Sequence, residues 1–114
     1  MTYDLSRLFL KAPLVPAVAQ DADTGRVLML GYVSREALEK TLETGTAWFW
    51  SRSRQELWNK GATSGHILAM TAVYADCDED ALLYLCRPAG PTCHTGQVSC
   101  FFRNVKEYEH ERRA

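Results

Sequence analysis

Long apolar runs are missing from this 114-residue sequence. No stretch approaches the ~20 apolar residues that a membrane-spanning helix needs. Met1 to Leu10 has no basic region followed by a long apolar segment, so no signal peptide is expected. Charge of one sign is missing too. With 13 Lys and Arg against 14 Asp and Glu, the formal net charge is −1, without the broad basic surface that displaces counterions from nucleic acid. Internal repeats and low-complexity segments are absent. A single domain over residues 1–114 is expected, cytoplasmic, with neither nucleic acid nor a membrane as partner. Apolar content of 46% against 24% charged residues suffices for one core.

What is present is punctuated by turns. Val15 to Gln20 and Arg26 to Val33 predict two strands joined by the turn-rich Asp21 to Gly25. Ser34 predicts a helix N-cap, Glu36 complements the helix dipole, and Ala37, Leu38, Leu42 and a terminating Gly45 complete about ten residues. Thr46 to Trp50 is β-prone, and Ser51 to Arg54 is a loop or strand end. Ile67 to Cys77 and Ala81 to Arg87 predict two more strands. Pro88 to Gly96 reads as a loop and Gln97 to Asn104 as a return to strand, with a charged tail over 106–114. The expected fold class is α+β: a small, mainly β, barrel-like twisted sheet with one main helix.

Four cysteines without a secretion signal point to metal binding or catalysis rather than disulfides. Cys86, within an apolar run, reads as a buried structural thiol. Cys77 lies inside Asp76-Cys77-Asp78-Glu79-Asp80, and Cys93 and Cys100 follow, with His94 beside Cys93. Thiolates suit zinc and carboxylates suit magnesium or calcium. Were 76–80 on a strand, its three aspartates would share one face and Cys77 would take the other. A merely solvated acidic turn is the alternative. An EF-hand is excluded, since Ala81 and Arg87 stand where its glycine and bidentate glutamate are required. Six residues separate Cys93 from Cys100, looser than structural zinc knuckles, and no Cys-x-x-Cys is present to build a closed site. Three ligands and one open position is the pattern of catalytic zinc; unrelated buried thiols are the other reading. His94 then suits a general base, or a group that only orients a ligand.

A second set of residues suits an anion. Ser51, Arg52, Ser53 and Arg54, followed by Lys60, Thr63 and Ser64, combine cations, hydroxyls and glycine-rich turns, and arginine offers phosphate a planar fork of donors, while His66 on its own suits a structural hydrogen bond. Trp48, Trp50 and Trp58 suit either the core or stacking on a base.

Together these blocks closely resemble the phosphoribosyl-AMP cyclohydrolase family of histidine biosynthesis. The resemblance runs from about Leu28 to Arg103. It is carried by Trp50 to Arg54, Leu57-Trp58-x-Lys60-Gly61-x-Thr63-Ser64-Gly65-His66, Asp76-Cys77-Asp78-x-Asp80, and Cys93-His94-Thr95-Gly96 with Cys100. It implies a hydrolase that opens the N1–C6 bond of the adenine ring in N1-(5-phosphoribosyl)-AMP by attack of zinc-bound hydroxide. It also implies a zinc and magnesium requirement and a homodimer with sites at the subunit interface. Carried over, the zinc ligands are Cys77, Cys93 and Cys100, the magnesium ligands are Asp76, Asp78 and Asp80, and the family histidine is His94. The two substrate phosphates give Arg52, Arg54 and Lys60 their task, with Ser51, Ser53, Thr63, Ser64 and His66 in the same binding set. Gly31-Tyr32-Val33-Ser34 departs from the commoner Ala-Tyr-Met-Asn, and Thr92 stands where a smaller residue is usual. A nucleobase deaminase would need His-x-Glu and Pro-Cys-x-x-Cys, both absent. A zinc-stabilised binding module would leave the aspartates without a task.

Overall fold

A computed structural model describes residues 2–108. A 3-10 helix over Leu5–Phe9 leads into β1 (Leu14–Asp21) and β2 (Val27–Ser34), an antiparallel hairpin. Helix α1 spans Arg35–Thr44, followed by β3 (Trp48–Ser51), β4 (Glu56–Asn59), β5 (Leu68–Ala75), β6 (Leu82–Pro88) and the single turn α2 (Val105–Tyr108). All six strands form one sheet in the order β4-β3-β2-β1-β6-β5, in which only the β1–β6 pair is parallel. The sheet curls into a half-barrel. Thr46 bridges Ala69, and Ala47 N–H donates to the Leu68 carbonyl at 3.0 Å, drawing β5 toward the segment that precedes β3. The barrel-like α+β expectation therefore holds.

The helix forms as its sequence dictates. The Ser34 hydroxyl accepts from Ala37 N–H at 3.1 Å, satisfying one donor of the first turn. Gly45 adopts φ +76° at the other end, where its N–H returns to the Thr41 carbonyl. Ala37, Leu38 and Thr41 form the buried face, which packs on β2 and β3. Thr41 is a polar residue inside the core, and its hydroxyl is fully used: it donates to the Ala37 carbonyl at 2.9 Å and accepts from Trp48 N–H at 2.9 Å. Around it lie Phe49, Tyr84, Leu28, Leu68 and Val33, all fully buried, each large apolar side chain adding about 1.5–3 kcal/mol on burial. Phe49 stacks obliquely on Tyr84, with ring centroids 5.5 Å apart. It also explains the glycine at 31, because a Cβ there would lie 2.5 Å from Phe49 Cδ1.

Two segments differ from the sequence expectation. Residues 76–80 are a turn rather than a continuation of β5. Asp76 Oδ1 accepts from Asp80 N–H at 3.0 Å and from Ala81 N–H at 3.2 Å, so the side chain takes up donors that a ladder would have used. Strand alternation therefore does not govern where Cys77 points. Residues 97–104 do not return to strand either. They are pinned to the start of β2 by Cys100 N–H donating to the Leu28 carbonyl at 2.7 Å and by the Ser99 hydroxyl donating to the Val27 carbonyl at 2.7 Å. Of the charged tail expected over 106–114, residues 109–114 lie outside the described residues.

Candidate active site and metal ligands

A cavity of about 470 Å³ opens between the end of β4, the 60–66 loop and the 91–96 loop. Arg54, Lys60, Thr63, Ser64, His66, Cys93 and His94 line it, together with Trp58, Asn59 and Thr92. A smaller hollow of about 300 Å³ continues past Arg54 and Trp58 to Ser51 and Ser53. Residues from sequence blocks about 30 positions apart thus share one groove rich in cations and hydroxyls.

The loops reach this arrangement through two glycines. Gly61 has φ +84°, and a Cβ on it would lie 2.3 Å from the His66 carbonyl carbon, so the 61–66 turn closes only around glycine. Gly90 faces the other side of that turn, where a Cβ would meet the His66 ring at 2.7 Å. The His66 imidazole is held against the backbone of the Cys93 loop.

Cys93 and Cys100 lie close enough for each to shift the titration of the other. The Thr95 hydroxyl donates to Cys93 Sγ at 3.1 Å. That bond, followed by one from the Thr95 backbone, holds the Cys93 thiol below its ordinary value, and the Lys60 charge acts in the same direction. Burial, then proximity to Cys93, pushes Cys100 upward. Two soft thiol donors, with that of Cys93 held below its ordinary value, fit zinc.

Cys77 is not with them. It lies in the connection between β5 and β6, whereas the Cys93 loop follows the opposite end of that hairpin, where Leu68 pairs with Pro88. Seven steps of about 3.3 Å along β5 separate the two ends of that hairpin by roughly 20 Å. Cys86 is buried in the core and all four thiols are free.

Beside Cys77, ligand oxygens of Asp76, Asp78 and Asp80 lie within 4.8 Å of one another, the one such group of three candidate ligands among the described residues. Hard carboxylate donors at that spacing fit magnesium. The closeness of the two carboxyl groups raises Asp78 and lowers Asp80, where Lys11 acts in the same direction. Lys11 Nζ is 3.2 Å from Asp80 Oδ2 and 4.0 Å from Asp78 Oδ2. Glu79 turns the other way, with φ +58°, and is bound by the Tyr3 hydroxyl and by Arg7 Nη2, the latter at 2.6 Å.

Arg52 lines neither hollow. Its guanidinium lies over the Tyr32 ring, 3.9 Å from the centroid. Tyr32 and Lys11 are the residues that sequence reasoning missed. Each acts across a long sequence interval, and no local pattern marks either. Asn59 and Thr92, each next to a residue that the motifs single out, line the cavity as well.

The family described as Phosphoribosyl-AMP cyclohydrolase matches residues 29–102. A Phosphoribosyl-AMP cyclohydrolase of Clostridium botulinum (strain Okra) is 58% identical over 94 residues, covering 82% of this chain and 86% of the relative. Proteins of the same name from Haloarcula marismortui and Haloquadratum walsbyi are 58% and 59% identical. They are matched over 90% and 81% of this chain and 85% and 70% of their own lengths.

Proposed function

The chain belongs to the phosphoribosyl-AMP cyclohydrolase family of hydrolases, and from that membership we propose that it opens the N1–C6 bond of the adenine ring in N1-(5-phosphoribosyl)-AMP. The observation that carries this reading is the single cavity shared by Cys93, His94, Lys60 and His66. Cys93, Cys100 and Cys77 would hold zinc, which would supply an acidified water as the nucleophile that C6 needs. His94, exposed to the cavity beside Cys93, moves the proton that N1 must gain as the ring opens to the imidazole carboxamide. Arg54, Lys60, Thr63 and Ser64 bind phosphate oxygens, aided by Ser51, Ser53 and Arg52. Asp76, Asp78 and Asp80 would hold magnesium, which would supply further positive charge.

On this reading the working unit is a homodimer. Cys77 stands at the far end of the β5–β6 hairpin from Cys93, so a three-thiol site needs Cys77 from a second copy. The outer face of the sheet supports such a partner. Leu30 and Tyr74 are 45% and 56% exposed there, and Val18, Tyr74 and Leu83 line an apolar hollow of about 370 Å³ beside Asp76. No helix among the described residues is long and apolar enough to cross a membrane.

The test mixes inactive Cys77→Ala chains with inactive Cys93→Ala chains and follows ring opening alongside zinc stoichiometry. Exchange should restore activity, because one of the two sites in the mixed dimer regains all three thiols. No recovery after confirmed exchange would sink the cross-subunit site. Zinc-replete protein that leaves the nucleotide ring closed would sink the reaction itself.

A further inference from the structure

Residues 3–11 precede the segment matched by the family, yet they reach the acidic turn at three points. The Tyr3 hydroxyl and Arg7 hold Glu79, and Lys11 Nζ lies 3.2 Å from Asp80 and 4.0 Å from Asp78. An isolated exposed ion pair decides little. This segment, however, is fastened independently of those pairs. Leu8 is 3% exposed and packs in the core, and Asp4 caps the 3-10 helix by accepting from Ser6 N–H at 3.0 Å. Lys11 is therefore tethered two residues beyond an anchored helix, which gives its ammonium a high local concentration at the triad. Glu79, with its left-handed backbone, faces the tether while its two neighbours in sequence face the lysine.

We propose that Lys11 is a built-in counter-cation that shares the aspartate triad with the divalent ion and weakens its binding, so that the N-terminal segment sets metal affinity at this site. The inference rests on reading Asp76, Asp78 and Asp80 as the magnesium ligands. Three carboxylates carry more negative charge than one divalent ion offsets, and the ammonium takes up part of the remainder. A metal arriving at the triad meets a like charge already in place and has to push it outward. Removing that charge strengthens the field felt by the metal.

The test is divalent-ion binding by the full-length chain with its thiols saturated in zinc, so that oxygen sites alone remain open. Mn²⁺ is titrated against the wild type, Lys11→Met, Lys11→Arg and an Asp78→Asn/Asp80→Asn double variant, with free Mn²⁺ followed by electron paramagnetic resonance. Lys11→Met should bind Mn²⁺ about three- to tenfold more tightly. Lys11→Arg, which keeps the charge, should stay close to the wild type. The difference should shrink as KCl is raised, because the repulsion is exposed to solvent and screened. Equal or weaker binding by Lys11→Met, with the aspartate double variant still losing the ion, would overturn the role of the lysine alone. Mn²⁺ binding undiminished in the aspartate double variant would remove the metal from the triad, and the inference would fall with that reading.

Discussion

The guanidinium of Arg52 stacks on the ring of Tyr32 at 3.9 Å, and Tyr32 in turn pairs with Trp50 across β2 and β3. An arginine just beyond a strand end would otherwise sample many rotamers, and an aromatic platform reduces that freedom before any anion arrives. If Arg52 meets a substrate phosphate, Tyr32 is a positioning residue. Tyr32→Leu should raise KM about two- to fivefold with kcat little changed, whereas Tyr32→Phe should keep the wild-type KM. Steady-state kinetics on the three proteins decides this. A drop in kcat with KM unchanged would contradict it.

His94 is held next to a proposed zinc ligand by chain connectivity alone, and it opens to the cavity. A proton-transfer role predicts a fall in kcat of about 10²–10⁴-fold in His94→Ala with zinc still bound. Loss of zinc in parallel with activity would instead assign His94 to the support of the metal. Steady-state rates with metal analysis of the same samples separate the two outcomes.

Much of this fold was legible because its signals are local. Ser34 and Gly45 mark the two ends of α1, and the turn residues Asp21 to Gly25 mark the hairpin between β1 and β2. The grouping of Arg54, Lys60, His66, Cys93 and His94 was legible through motif chemistry, since residues that share a task must meet. Where prediction failed, a side chain had taken over a backbone task. Asp76 caps its own turn, and Ser99 ties the 97–104 segment to β2, so β-prone residues such as Val98 and Phe101 stay exposed. Strand β4 was missed because the turn before it uses Gln55 at φ +54° in place of a glycine. Contacts such as Lys11 to Asp80 leave no trace in a linear pattern.

Thr92 is 2% exposed, and its hydroxyl has no hydrogen-bond partner among the described residues. A buried donor left unpaired costs about 1–3 kcal/mol, and replacing it with an apolar group of the same shape removes that cost. Thr92→Val should therefore equal or exceed the wild type in stability, by up to about 1 kcal/mol. Urea unfolding monitored by tryptophan fluorescence measures it. A clear loss of stability would mean that the hydroxyl is paired after all, for instance with a water or ligand in the adjoining cavity.

Stability should also fall in alkali for a reason located in the core. Burial pushes the Tyr84 hydroxyl from 10.0 up to about 12, and burial, helped by Asp21, pushes the Cys86 thiol from 9.0 up to about 11. Both groups keep their protons in the folded chain at pH values where the unfolded chain has released them. The folded state then binds more protons than the unfolded one, so the unfolding free energy declines as pH rises. Their contribution is fully present below about pH 9 and is lost between about pH 9 and 12, each group steepening the fall by at most about 1.4 kcal/mol per pH unit. Tyr84→Phe gives up the contacts that the hydroxyl makes with Thr41 Oγ1 at 3.3 Å and the Trp48 carbonyl at 3.4 Å, so it should be less stable than the wild type at pH 8. Its stability should nevertheless decline less steeply from pH 10 upward, narrowing the gap between the two proteins. Urea midpoints at pH 8, 9.5 and 11 test both halves of the expectation, with the remaining tyrosines and lysines titrating alike in each protein. Parallel curves would show that Tyr84 ionises with the fold intact, and its burial would then have to yield to local opening of β6.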